Sequence, residues 1–85
     1  MKRFAFVYLM LDEPERVTHS AQKHVDYWHN LSLPEYAGGP FADRSGGLIT
    51  FAAENHEVAA DFAREDPFMR ENLLDQCWLK EWVNV

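Results

Sequence analysis

The first strand of this chain is apolar on both of its faces, and no other feature constrains the fold as strongly. Residues 4–11 are Phe-Ala-Phe-Val-Tyr-Leu-Met-Leu, whereas a strand with one face in solvent alternates apolar and polar side chains. We therefore expect a central strand that is covered on both sides. Helices of the same chain can cover one side. Because the chain has only 85 residues, the sheet of a second copy is the most economical cover for the other side.

The length and the cysteine content indicate one domain, residues 1–85, stabilised by self-association. A chain of this size buries only ~60–65% of its surface. The single cysteine, Cys77, excludes an intrachain disulfide and fits a reducing compartment, so we expect a cytoplasmic protein. No Cys/His cluster has the spacing of structural zinc, so we expect no metal. Apolar residues make up 47% of the chain, and we expect part of that surface to form a homodimer or a higher oligomer.

The charge and hydropathy patterns argue against two classes of partner. The net charge is −6 and the basic residues form no stripe, so we expect neither nucleic acid nor anionic lipid as a partner. No apolar run approaches the ~18–20 residues of a membrane helix. The basic start and the apolar run after it resemble a signal peptide, but acidic residues follow instead of a small-residue cleavage site. We interpret this run as a strand.

The remaining elements follow from apolar spacing and from proline, glycine and capping residues. They are a helix from Pro14 to about Leu31, an irregular edge strand over 36–41, a buried strand over 48–53, a helix from His56 to about Glu65 with Asn55 as N-cap, a short helical turn over 68–73 and a last strand over 78–85. The order βαββαβ predicts an α+β, ferredoxin-like fold with a four-stranded antiparallel sheet and two helices on one face.

Two polar residues occupy positions that the helical pattern makes apolar. His24 lies within about 30° of the centre of the apolar stripe of the first helix. Asp66 falls on the apolar face of the second helix, at the negative end of its dipole. Each has a structural alternative, a hydrogen-bonded core histidine and a turn-initiating aspartate before proline. Together they predict a His/Asp general acid-base pair between the helices and the sheet.

Other residues could complete a site, although packing is the more common role for each. Tyr8 and Tyr36 could supply hydroxyl groups. The backbone around Gly39 and Pro40 offers amides near a possible oxyanion, but no helix with Lys-Ser/Thr follows, so it is not a phosphate loop. Aromatic side chains could line a small-molecule pocket; they are Trp28, Phe41, Phe51, Trp78 and Trp82.

The chain resembles the YciI-like (YCII-related) family over nearly its whole length. The resemblance depends on the order and spacing of His24, Gly39-Pro40, Gly46-Gly47-Leu48 and Asp66-Pro67-Phe68, with Lys80-Glu81-Trp82 in the last strand. It implies a single YCII-related domain, a dimeric α+β barrel, and an active site carried here by His24 and Asp66. Some members of the family are similar to small lyases that remove chloride from chlorinated hydroxylated aromatics without a cofactor.

The sequence departs from the family pattern at two places. Relatives often carry an arginine one helical turn before the histidine, where this chain has Ala21. Lys23, Arg44 or Arg70 could supply the missing cation. The segment before Gly39-Pro40 is also short, with Leu33-Pro34 in place of a glycine turn, so the shape of the pocket does not carry over.

Three functions remain open from the sequence. The first is a cofactor-free lyase or isomerase on a small aromatic or cyclic molecule, with His24 and Asp66 as the acid-base pair and with Tyr8, Trp28, Gly39, Pro40 and Phe41 as substrate-binding residues. The second is a non-catalytic module of the same fold that binds a small ligand, which the alanine at position 21 favours. The third is a cofactor-free monooxygenase of the related barrel type.

Overall fold

The chain folds as a βαββαβ unit with one additional short helix. The computed structural model describes residues 1–83 and 85. Its elements are β1 (Lys2–Met10), α1 (Pro14–Asn30), β2 (Ala37–Pro40), β3 (Gly46–Ala53), α2 (His56–Arg64), α3 (Pro67–Arg70) and β4 (Leu74–Glu81). The predicted order is confirmed, and α3 lies where the sequence predicts a helical turn.

The four strands form one antiparallel sheet in the order β2-β3-β1-β4. β1 is central, as its apolar composition predicts, because it pairs with β3 on one side and with β4 on the other. The short strand β2 forms one edge and pairs with β3 alone. The fold is therefore α+β and ferredoxin-like.

Both long helices pack on the same face of the sheet. Phe4 and Phe6 of β1 point toward the helices and are 0% and 1% exposed. The ring of Phe6 contacts Trp28 of α1, and Phe51 of β3 contacts Phe62 of α2. Phe4 and Phe51 are partners in the strand register, so these contacts belong to one layer. This layer is the core that positions the candidate site.

The opposite face of the sheet carries apolar side chains that the chain itself does not cover. Ala5, Val7 and Leu9 alternate with the buried residues of β1 and are half-buried. Val7 pairs with Leu48 on β3 and with Trp78 on β4, and these two side chains are 37% and 42% exposed. This is the side of β1 for which the sequence predicts a second sheet as cover.

The last strand begins earlier than the sequence predicts. We expected it over 78–85, whereas β4 spans Leu74–Glu81. The expectation was wrong at its start, because the polar Gln76 already pairs with Leu9 of β1; residue 84 of the predicted range lies outside the described residues. β4 is an edge strand that pairs with β1 alone, so polar side chains can remain exposed along it.

Helix α1 turns two polar residues and a tryptophan toward the sheet. Pro14 occupies its first turn, where the missing amide hydrogen is tolerated. The buried residues of the helix are Ser20, His24 and Trp28, at i, i+4 and i+8. Val25, which the apolar pattern places inside, is 39% exposed, because the space beneath this part of the helix is a cavity.

Candidate active site

An imidazole and a carboxylate from separate elements meet inside the molecule. His24 lies in the middle of α1 and Asp66 immediately precedes α3. The Nδ1 atom of His24 lies 2.8 Å from Oδ1 of Asp66 and 2.9 Å from Oδ2. The aspartate is 0% exposed and the histidine 7%. The sequence predicts this convergence, and the described residues show it directly.

The Asp66 carboxylate is held by three donors from two elements, α1 and α3. Its Oδ1 accepts the backbone amide of Phe68 at 2.8 Å, and its Oδ2 accepts the indole N–H of Trp28 at 3.0 Å. With His24, three donors converge on one buried acid. Burying a carboxylate is tolerated only when it is paired and hydrogen-bonded in this way. The indole of Trp28 therefore orients the Asp66 carboxylate from the core side.

The local chain geometry explains how Asp66 reaches this position. The sequence places it at the carboxyl end of the second helix, but α2 ends at Arg64 and Asp66 is the N-cap of α3. Its side chain accepts from the second helical residue, and Pro67 follows in the first turn. An aspartate directly before a proline is a recognised helix start, and the turn-initiating role that the sequence offers as the structural alternative for Asp66 is the one that its backbone adopts.

The hydrogen bonds define the tautomer of His24. A carboxylate is an acceptor only, so Nδ1 carries the proton and donates to Asp66. In the neutral imidazole the opposite ring nitrogen, Nε2, carries no proton and accepts the hydroxyl proton of Tyr8 across 3.1 Å. An imidazole with this arrangement can take a second proton at Nε2 while Asp66 stabilises the resulting charge. The arrangement is suited to moving protons.

Aromatic rings hold the plane of the imidazole. The ring of Phe68 stacks on it with centroids 4.1 Å apart and planes 12° apart. The ring of Tyr8 meets it edge-on at 5.4 Å. Phe68 was not among the predicted site residues, although its place directly after Asp66-Pro67 was a usable signal. The histidine is thus fixed by packing as well as by hydrogen bonds.

A cavity of about 680 Å³ opens beside this group. Its wall is formed by parts of β1, α1, β2, β3 and α3, together with the loop after β1 and the connections before β2 and β3. The lining residues are Tyr8, Met10, Leu11, Asp12, Glu13, Pro14, Val17, Thr18, Ala21, His24, Val25, His29, Tyr36, Gly38, Gly39, Pro40, Arg44, Gly46, Ile49 and Phe68. Twelve of these twenty residues are apolar or glycine and eight are polar or charged, and a mainly apolar wall is typical of small-molecule sites.

The structure separates the predicted binding residues into two sets. Tyr8, Gly39 and Pro40 line the cavity with His24. Trp28 does not, because its side chain is fully buried behind Asp66. Phe41 borders a different, shallow pocket on the outer side of β2, together with Leu48 and Thr50. The expectation that Trp28 and Phe41 form the walls of the same pocket as His24 was therefore wrong.

Of the three basic residues that could stand in for an arginine at position 21, one lies at the cavity. Ala21 lines the cavity, as does Arg44 from the turn between β2 and β3. Lys23 does not border the cavity. Arg70 is paired with Glu65 at 3.0 Å. Among the three candidates, Arg44 alone borders the cavity.

A buried contact between α1 and the end of α3 was not predicted. The hydroxyl of Ser20 donates to the carboxylate of Glu71 at 2.6 Å, and Ser20 is 0% exposed. Arg16 donates to the backbone carbonyl of Glu71 at 2.9 Å. The signal was the spacing of Ser20 four residues before His24 on the same face. These bonds fasten α3 to α1, so they help to keep Asp66 beside the histidine.

The phenols of the cavity remain protonated around neutral pH. Burial raises the pKa of Tyr8, and the charge of Asp66 and the neighbouring Tyr36 raise it further. Burial and Asp66 also raise the pKa of Tyr36. Both groups can therefore donate a hydrogen bond, and neither begins as a phenolate base.

Within residues 1–83 and 85, no three His, Cys, Asp or Glu side chains are grouped so that they could hold a metal ion. The polar groups of the site are satisfied by one another: every buried side-chain nitrogen or oxygen atom of the described part has a partner. None of the described helices is long and apolar enough to cross a membrane.

No protein-family model matches the chain, and no curated protein matches it. Among solved structures, it is similar to the 5-chloro-2-hydroxyhydroquinone dehydrochlorinase TftG from Burkholderia phenoliruptrix AC1100, in complex with 2,5-dihydroxybenzoquinone. The similarity covers 98% of this chain and 95% of that chain, with a TM-score of 0.85 and 18% sequence identity. At this identity, the similarity shows a shared fold.

Proposed function

We propose that this protein is a lyase or isomerase that needs no cofactor and acts on a small aromatic or cyclic molecule. His24 takes a proton from the substrate and returns one, and Asp66 stabilises the charged imidazole between the two steps. One observation carries the proposal: a buried His/Asp pair, joined at 2.8 Å, borders a cavity large enough for such a molecule.

The electrostatics of the pair support proton transfer. When His24 gains a proton, a buried imidazolium lies against a buried carboxylate. Two opposite charges about 4 Å apart attract by about 4 kcal/mol at an effective dielectric constant near 20. The donors from Phe68 and Trp28 keep the carboxylate in place, so little reorganisation accompanies the change of charge.

The size and lining of the cavity support a small ring as the substrate. Cavities of about 300–1,000 Å³ are usual for small-molecule sites, and this one has about 680 Å³. Apolar side chains such as Met10, Val17 and Ile49 suit the faces of a ring, while Tyr8, Tyr36 and Arg44 suit its oxygen atoms. The ligand of TftG, 2,5-dihydroxybenzoquinone, is an oxygenated ring of this kind.

The proposed chemistry conserves atoms and electrons. Removal of a proton from a ring hydroxyl and its return to a ring carbon converts an enol into its keto tautomer, which is an isomerisation. If that keto form carries a leaving group such as chloride, the group departs with the bonding electron pair and a second proton is released. Both reactions use one group that cycles between imidazole and imidazolium.

The decisive experiment offers the protein 5-chloro-2-hydroxyhydroquinone without oxygen. Chloride release is measured with an ion-selective electrode, and exchange of ring protons for deuterium is followed by NMR. His24→Gln and Asp66→Asn should each lower these rates by about 10²–10⁴-fold. His19→Gln and Asp75→Asn alter exposed residues of the same types and should leave the rates unchanged. Equal rates in His24→Gln and the native protein would refute the acid-base role.

A non-catalytic ligand-binding module is the second candidate, and Ala21 in the cavity wall favours it. An anionic substrate loses one counter-charge there. This candidate predicts that 2,5-dihydroxybenzoquinone binds while neither chloride release nor proton exchange exceeds the rate without protein. Oxygen uptake in an aerobic control would instead indicate a monooxygenase.

We further propose that the chain is a YCII-related domain that forms a homodimer through the open face of its sheet. The half-buried Ala5, Val7 and Leu9, with Leu48 and Trp78, form an apolar surface opposite the helices. Covering such a surface stabilises a small domain, at roughly 25 cal/mol per Å² buried. A second sheet supplies the flat apolar cover that this surface matches. Light scattering coupled to size exclusion tests this, and a stable monomer would refute it.

A further inference from the structure

Neither ring nitrogen of His24 is free to meet a ligand. Nδ1 is bonded to Asp66, and Nε2 lies 3.1 Å from the hydroxyl oxygen of Tyr8. Phe68 covers one face of the ring at a centroid distance of 4.1 Å. A ligand in the cavity therefore reaches the imidazole nitrogen only across the hydroxyl of Tyr8.

Among the described residues the hydroxyl of Tyr8 has one hydrogen-bond partner, Nε2 of His24. It uses its single proton toward Nε2, which leaves the oxygen lone pairs available as acceptors. Tyr8 lines the cavity together with Gly38, Gly39 and Gly46. A Cβ atom on Gly47 would lie 2.3 Å from the Tyr8 oxygen, so this oxygen packs closely against the backbone of β3, and the glycine there fixes its position at the cavity wall. The tyrosine is thus placed between the histidine and the ligand space.

We infer that Tyr8, rather than His24, is the group that meets the reacting proton of the substrate. The proton of a substrate hydroxyl moves to the Tyr8 oxygen while the proton that Tyr8 already holds moves to Nε2 of His24. The substrate becomes an anion, His24 becomes an imidazolium, and Tyr8 stays neutral. In the return step the same two protons move in the opposite direction, toward a substrate carbon.

The surroundings of Tyr8 support a relay instead of a base. Burial and the charge of Asp66 raise its pKa, so a lasting phenolate is disfavoured. In the relay no phenolate forms, because each proton that arrives is matched by one that leaves. The positive charge then rests on His24, where Asp66 stabilises it at 2.8 Å.

The inference rests on the proposed function, and one variant separates the two. Tyr8→Phe keeps the ring that packs against Phe6 and Phe68 and removes only the oxygen. We expect kcat for ring-proton exchange to fall by about 10²–10⁴-fold, as for His24→Gln. Binding of 2,5-dihydroxybenzoquinone should weaken by no more than about tenfold, because one hydrogen bond is lost. Tyr27→Phe removes a hydroxyl bonded to the carbonyl of Phe62, outside the cavity, and should keep full activity.

A second measurement tests the contact in the unmodified protein. The chain has three tyrosines, so labelling the ring carbon that bears the oxygen with carbon-13 gives three NMR signals. Addition of 2,5-dihydroxybenzoquinone should shift the Tyr8 signal and leave the Tyr27 signal in place. An unmoved Tyr8 signal in the saturated complex overturns the relay. This measurement does not depend on the folding of any variant.

The outcomes distinguish the two claims. If the native protein exchanges ring protons and Tyr8→Phe loses less than about tenfold of that rate, the relay is overturned and the His/Asp proposal stands. If the native protein neither binds the quinone nor exchanges protons, the proposed function fails and the relay fails with it. Loss of exchange in both Tyr8→Phe and His24→Gln, with the quinone still bound, supports both.

Discussion

Replacing Asp66 by asparagine tests whether this carboxylate is the centre of the site. The side chain keeps its shape but exchanges one acceptor oxygen for an amide that donates. Asp66 receives N–H groups from His24, Phe68 and Trp28. If the remaining oxygen takes the place of Oδ1, it keeps the bonds to His24 and Phe68. The new amide then faces the indole N–H of Trp28, which is donor against donor.

The structure allows the size of this effect to be worked out. A buried donor left without an acceptor costs about 1–3 kcal/mol, and for a chain of this length each kcal/mol lowers Tm by about 4–8 °C. Asp66→Asn should therefore lower Tm by roughly 5–20 °C. Asp75→Asn, at an exposed position, should change the free energy of unfolding by no more than about 0.5 kcal/mol.

A double-mutant cycle assigns the effect to its cause. Trp28→Phe removes the indole donor, so it should be less destabilising in the Asp66→Asn background than in the native protein. Urea unfolding at a fixed protein concentration measures all four species, because self-association would otherwise alter the midpoint. Strictly additive effects, or an Asp66→Asn protein as stable as Asp75→Asn, would show that the carboxylate does not depend on these donors.

Three further predictions concern the ionisation of the tyrosines, the glycine that packs against Tyr8 and the open face of the sheet. Burial raises the pKa of Tyr27 to about 12, and burial also raises the pKa of Tyr8. Above pH 10 the folded state therefore holds more phenol protons than the unfolded state. The free energy of unfolding should fall as the pH rises from about 10 to 12. Urea unfolding across this range, repeated on Tyr27→Phe, checks the slope, which should become shallower in the variant. Gly47→Ala should lower the free energy of unfolding by about 1–3 kcal/mol, because its Cβ would lie 2.3 Å from the Tyr8 oxygen. Gly39→Ala is the control, since no atom lies within 4 Å of the Cβ added there. Equal Tm values for the two variants in thermal unfolding would contradict this prediction. Val7→Asp places a charge in the open sheet face and should convert the proposed dimer into a monomer in light scattering, and an unchanged mass would argue against that interface.

The order of the elements and the inward histidine could be predicted because both depend on local periodicity. A strand with two apolar faces can only be central, and β1 is central. His24 falls on the inner face of α1 because 100° per residue places it there. Asn55 caps α2 by accepting the amide of Val58 at 2.9 Å, as a local capping signal predicts. Each of these features needs only the neighbouring residues.

The sequence could not predict how deeply a side chain is buried or which face of the sheet it joins, because both depend on how the helices and the sheet pack over long distances. Periodicity identifies the inner face of α1, but it does not say that Trp28 lies behind Asp66 while Val25 borders a cavity. Phe41 follows a four-residue edge strand, where a short shift decides which face of the sheet a side chain joins. The position of the cation was equally hidden, since Arg44 reaches the cavity from a turn that the chain order places far from α1.

The capping of α3 joins local folding to chemistry. The same carboxylate that accepts the amide of Phe68 also orients His24. A helix of four residues, Pro67–Arg70, has almost no stability by itself. Each time this turn opens, the imidazole loses its counter-charge and its stacked ring in one event. Hydrogen exchange at the Phe68 amide therefore reports how often the site is disassembled, and substitutions on the far side of α3 should weaken the proposed proton transfer without touching the cavity.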